Sequence, residues 1–197
     1  MGTRNLTMVF MDGEYKVAQY GQWDGYPEGQ GMTCLKFLRE QMYEAEFREQ
    51  VKKVHYLGEE ERKALWAAFG ADEQGCISIA DHDRVKKMYP EIHRDTGAKI
   101  LQMIQEGSVH FLSDNLSFAA DGLFCEWAYV IDLDKRMFEV YTGFHKEPVT
   151  EQDRFYFLKD KADEDYPCVR LEHAWSLDDL PTEEEFLAAF RTKEDEE

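Results

Sequence analysis

Apolar and polar positions alternate most clearly at two places in the chain. Near the start, "LTMVF" and "YKVAQY" flank "MDGE". Asp12-Gly13 is a strong signal for a two-residue turn, so the chain opens on a β-hairpin. Further on, "FCEWAYVIDLDKRMFEVYTGF" holds two runs of β-branched and aromatic residues that meet at Asp134-Lys135-Arg136, a second hairpin. Between them the apolar period lengthens from two residues to that of a helix. In "MTCLKFLREQMYEAEFREQVKKV", Leu35, Leu38, Met42 and Ala45 recur at helical spacing, and Phe47, Val51 and Val54 continue the stripe, with Thr33 as the expected N-cap. "EEERKALWAAF" reads as a second helix, acidic at its start and closed by Gly70. "CISIA" reads as a short strand and "DHDRVKKMYP" as a short helix stopped by Pro90. "TGAKILQMIQEG" is a third helix, amphipathic through Ile100, Leu101 and Ile104. "RFYFL" and "CVRLEHAWSL" read as further strands.

This order predicts an α+β fold: antiparallel sheet built from the N-terminal and C-terminal hairpins, with helices packed on it. An αββα sandwich is one arrangement that such an order allows. The reading places one domain over 1–180. Residues 181–197 follow as a short helix with a capping box, Thr182 with Glu185, and an acidic tip.

Composition narrows the function classes. At 197 residues with 14% aromatic content the chain can bury a substantial core. Its formal charge of -18 repels phosphate, which argues against direct nucleic-acid binding and against adhesion to anionic membranes. A basic partner surface would be attracted instead. Nine acids against Arg191 and Lys193 put -7 of that charge in the last twenty residues. Glu194, Asp195, Glu196 and Glu197 are therefore candidate partner-binding residues. No apolar run approaches membrane-spanning length. "MGTRNLTMVF" has no secretory core, and Cys34, Cys76, Cys125 and Cys168 form no CxxC pair, so the expected setting is a reducing cytoplasm.

Candidate chemistry concentrates in Tyr20–Gly31, "YGQWDGYPEGQG", with four glycines, three rings, two carboxylates and a proline. In the ligand-binding reading Trp23 and Tyr26 form a stacking platform, Asp24 accepts from ligand hydroxyls or amines, Glu28 adds a second carboxylate, and Arg94 is the anion partner. In the structural reading the glycines and Pro27 shape a corner from hairpin to helix, and Trp23 packs it. A phosphate cradle does not fit, because no Lys or Arg lies between Lys16 and Lys36. "GADEQGCISIAD" imitates a calcium loop but puts Gly70 and Gln74 where carboxylates are needed. "DHD" at 81–83 sits at a helix start, where acids cap. With no GxSxG and no Cys–His pair legible in sequence, no catalytic residue, metal or cofactor is assigned.

Four segments together, "MGTRNLTMV", "VAQYGQWDGYPEGQG", "IHRDTGAKIL" and "EWAYVIDLDKRMFEVYTGF", resemble a family of small uncharacterised proteins of bacteriophages and bacterial genomes. The resemblance covers most of the chain and implies a phage-type, cytoplasmic setting. Hairpins at both ends with helices between are also similar to the sandwich of N-terminal-nucleophile hydrolases. That chemistry needs Cys, Ser or Thr at the mature N-terminus, whereas removal of Met1 exposes Gly2. The expectation is a non-enzymatic, phage-associated binding protein that engages a host protein with a basic surface or sequesters a small molecule, in a counter-defence role. The alternatives are an enzyme or ligand-binding domain for a nucleotide-like or amide small molecule, and an acidic mimic of DNA.

Overall fold

The Asp12-Gly13 turn forms with both residues at positive φ, 55° and 79°, the combination that matches the twist of two antiparallel strands. It joins β1 (Asn5–Met11) to β2 (Glu14–Gly21). The second hairpin joins β5 (Trp127–Asp132) to β6 (Met137–Thr142), and β7 (Arg170–Ser176) adds to its outer edge. The computed structural model of the protein describes residues 2–71 and 78–191.

The two hairpins join through their first strands. β1 pairs with β5 in parallel, from Asn5 opposite Trp127 to Phe10 opposite Asp132. The result is one five-stranded sheet in the order β2-β1-β5-β6-β7, antiparallel except at this seam. The turns of the two hairpins therefore lie at the same end. There the Asp134 carboxylate accepts hydrogen bonds from the backbone N–H groups of Asp12, at 3.0 Å, and Gly13, at 2.9 Å. The fold is α+β. Among the described residues there is no second large sheet to complete an αββα sandwich; the other pairing is a two-residue parallel ribbon of β3 (His55–Tyr56) and β4 (Phe111–Leu112).

Helices cover one face. α1 (Met32–Lys36), α2 (Glu44–Val51), α5 (Ile100–Gln105) and α6 (Glu183–Ala188) bury Leu35, Phe47, Val51, Ile100, Leu101 and Phe186 against Val9, Val17, Tyr129, Phe138 and Val140 of the sheet. α3 (Glu59–Ala68) and α4 (Ile79–Met88) lie outside this layer. Gly70 closes α3 at φ 77°, the left-handed C-terminal position that glycine favours. The opposite face, Leu6, Met8, Ala18, Ala128 and Val130, is covered by short 3₁₀ segments at Leu116–Ala120 and Tyr156–Lys161.

Several local expectations change. The stripe from Thr33 to Val54 is not one helix: Met42 and Tyr43 are extended, and the chain turns between Gln41 and Glu44. The helical run starts earlier, with Pro27 in its first turn, where its missing N–H costs nothing. Thr33 lies inside that run, its hydroxyl donating to the Gly29 carbonyl at 3.0 Å, so it is not the cap. The Ile79–Ala80 part of "CISIA" is helical: Ser78 caps α4 by accepting from the Asp81 N–H at 3.1 Å, while Cys76 and Ile77 lie outside the described residues. Half of the calcium-loop imitation, 72–77 of 70–81, lies outside them as well. "RFYFL" is not a strand; it enters a 3₁₀ turn that carries Phe155 and Leu158, three apart, into the same core. The capping box at Thr182 and Glu185 forms. The helix it starts belongs to the main core rather than to a tail, because Phe186 is fully buried and stacks on Phe138 at 5.9 Å. No helix among the described residues is long and apolar enough to cross a membrane.

Candidate functional site

The Tyr20–Gly31 segment is a hydrogen-bonded corner at the N-terminal end of β1. The Gly25 N–H donates to the Thr3 carbonyl at 3.0 Å, the Gln30 N–H to the Asp24 carbonyl at 2.8 Å, and the Tyr129 hydroxyl to the Gly25 carbonyl at 2.7 Å. Asp24 sits at φ 53°. A Cβ on Gly29 would lie 2.2 Å from the Asp24 carbonyl oxygen, so the tight turn requires glycine. Trp23 does not plug the core. It is 46% exposed, and its indole N–H donates to Asp95 Oδ1 at 3.1 Å. Tyr26, Asp24 and Glu28 are likewise exposed. Arg94 lies beside this corner, its carbonyl accepting from the Gln22 N–H at 2.9 Å, with its side chain exposed and in no ion pair among the described residues. The structure thus brings Trp23 next to the Arg94–Asp95 segment on an outward surface. Glu194, Asp195, Glu196 and Glu197 lie outside the described residues.

A concave site is found at the other end of the sheet. A cleft of about 830 Å³ opens on the 3₁₀-covered face, beside the two hairpin turns. Two β-bulges build it. Between Val9 and Phe10 the β1–β2 register shifts, so that Tyr15 rather than Lys16 stands opposite Phe10. Simple alternation from Val17 puts Tyr15 on the helix-covered face; the bulge returns it to the cleft face, where its ring meets Phe10 edge-on at 5.0 Å. Between Val140 and Tyr141 the β6–β7 register shifts in the same way and sets Leu171 opposite Tyr141, at the cleft edge. Tyr56 and Phe157 complete the aromatic walls.

The floor carries a buried ion cluster. Asp132, fully buried, and Glu139, 8% exposed, both bind the Arg154 guanidinium. Arg154 Nε donates to Glu139 Oε2 at 2.7 Å and Nη2 to Glu139 Oε1 at 3.0 Å, while Asp132 accepts from the same Nη2. Two further donors reach the carboxylates: Tyr141 OH donates to Glu139 Oε2 at 2.7 Å, and the Lys135 N–H to Asp132 Oδ1 at 2.8 Å. Arg154 also lies over the Phe10 ring, 5.2 Å from its centroid. Burial opposes its charge, and the bonds to Asp132 and Glu139 outweigh that, holding its pKa above the ordinary value. Burial pushes the Tyr15 hydroxyl up to about 12, with Arg154 pulling the other way. Tyr141 is raised by burial and then by the Glu139 charge, and Tyr56 by burial and then by Asp114. All three phenols are therefore neutral donors at neutral pH. The Tyr56 hydroxyl is buried and has no hydrogen-bond partner among the described residues.

The ionised groups of the floor, Asp132, Glu139 and Arg154, are tied to one another, and the described cysteines, Cys34, Cys125 and Cys168, are buried with thiols pushed up by desolvation. Sequence reasoning passed over this cleft because its parts come from β1, β2, β5, β6, the β3 ribbon and the segment before β7. One signal was available: Asp132 and Glu139 are charged residues inside otherwise apolar strand runs, a pattern that calls for a buried partner. Comparison with family models, with curated proteins and with solved structures yields no match for the chain.

Proposed function

We propose that the protein is a phage-associated binding protein that sequesters a small molecule in the bacterial cytoplasm as a counter-defence factor, and that the Tyr15–Arg154 cleft is its site. The observation that carries this reading is the cleft itself. An 830 Å³ concavity with aromatic walls and a few convergent polar groups has the size and lining of a small-molecule site. Its rigid floor supports the same reading, because a pre-ordered site loses less entropy on binding. The phage setting rests on the resemblance of the N-terminal and hairpin segments.

Native mass spectrometry of protein purified gently from a bacterial host tests the proposal. A retained small-molecule mass that is lost on Tyr15→Ala and kept on Trp23→Ala supports it. A mass lost only on Trp23→Ala moves the site to the N-terminal corner. An apo mass with a stoichiometric host protein replaces sequestration with direct engagement of a partner.

A further inference from the structure

We infer that the ligand of the Tyr15–Arg154 cleft is an organic cation with an apolar body, an alkyl- or arylammonium compound. This rests on the small-molecule reading above and goes beyond it by assigning the ligand's charge and shape. Two observations carry it. The first is charge. The floor places two carboxylates, Asp132 and Glu139, around a single guanidinium, all nine-tenths buried or nearly so, with side-chain exposures of 0%, 10% and 12%. Formally this leaves one negative charge beneath the cleft, in a medium where charge is poorly screened. The walls add Asp114, together with Glu14 and Asp153, which are paired with Lys16 and Arg170 outside the lining. Lys135 is the one further cation of the lining, and its ammonium makes no ion pair among the described residues. An anionic ligand would meet repulsion from floor and rim, whereas a cation completes the cluster.

The second observation is the walls. Tyr15, Tyr141, Tyr56, Phe10 and Phe157 present rings to the cleft, and ring faces attract cations while covering apolar carbon. The three phenols add no charge, and the Tyr141 hydroxyl is already held by Glu139. Phe157 is 56% exposed at the mouth, where a bound molecule would cover it. Lys135 then acts as the protein's own competitor, a flexible cation at the rim that a ligand displaces.

Amide-detected NMR titration compares benzyltrimethylammonium with neopentylbenzene, its uncharged isostere. The cation is expected to shift Tyr15, Tyr141 and Arg154 signals and to bind about tenfold or more tightly than the isostere. Lys135→Gln, at an exposed position, raises cation affinity by about two- to threefold and leaves the isostere unchanged. Glu139→Gln removes the excess charge and weakens the cation alone. Equal binding of both probes in the cleft overturns the cationic assignment and leaves the small-molecule reading intact. Shifts confined to Trp23 and Tyr26 overturn the assignment to this cleft. Absence of binding by either probe overturns the inference, and sequestration is then judged on the retained mass alone.

Discussion

Removing Arg154 is the most direct test of the ion cluster. In Arg154→Met the side-chain volume is roughly kept, but Asp132 and Glu139 lose their shared cation while remaining buried at 0% and 8% exposure. Three guanidinium hydrogen bonds disappear together with the contact over Phe10. Breaking a buried pair by deleting one partner costs about 3–5 kcal/mol, because the other charge is left uncompensated. For a chain of this length each kcal/mol shifts the melting temperature by about 2–4 °C, so the expected loss is about 6–20 °C. The pH dependence fixes the cause. Without the guanidinium, burial and mutual repulsion hold the carboxyl pKa values above those of the unfolded chain. A group raised in this way contributes stability below its unfolded pKa and loses it as pH rises, so the variant is less impaired near about pH 4.5 than near about pH 7. Urea unfolding of both proteins across that range supplies the values, provided the slopes agree. Adding Asp132→Asn and Glu139→Gln to Arg154→Met should restore most of the loss. A deficit under about 1 kcal/mol, or one that is equal at both pH values, refutes the account of a charge-balanced buried floor.

Other perturbations probe the rest of the molecule. Phe186→Ala empties a site enclosed by Phe138, Trp175 and Phe190 and should cost about 3–5 kcal/mol in chemical denaturation, unlike a residue on a detachable tail. Gly29→Ala drives a Cβ into the Asp24 carbonyl and should cost about 1–3 kcal/mol in thermal unfolding, while Trp23→Ala on the half-exposed ring costs less. His93 is 5% exposed, and burial lowers its pKa, with Lys86, His82 and Arg94 acting in the same direction and Asp95 against it. Its share of stability is therefore complete above the unfolded value of 6.5 and declines as pH falls below it, where the unfolded chain takes a proton that the folded ring resists. His93→Gln should flatten that part of a stability-against-pH curve measured by urea unfolding.

What the sequence determined by itself was local. The Asp12-Gly13 hairpin, the hairpin around Asp134–Arg136, α3 with its closing Gly70 and the Thr182–Glu185 box each depend on residues a few positions apart. Their signals, positive-φ turn chemistry and capping, act within one turn or strand pair. The α+β class follows from their order. Tertiary structure decided how the pieces meet. The parallel β1–β5 seam joins residues more than a hundred positions apart, and no local propensity specifies it. "RFYFL" has strand composition, yet the chain needs Phe155 and Leu158 on one side, which a 3₁₀ turn provides and a strand does not. The corner at Trp23 drew attention because its unusual residues are consecutive, whereas the cleft's residues are not. Two one-residue bulges turn Tyr15 and Leu171 to the cleft side of the sheet. A bulge reverses which side a residue faces without changing the sequence pattern around it, so the cleft exists only once the strands have paired.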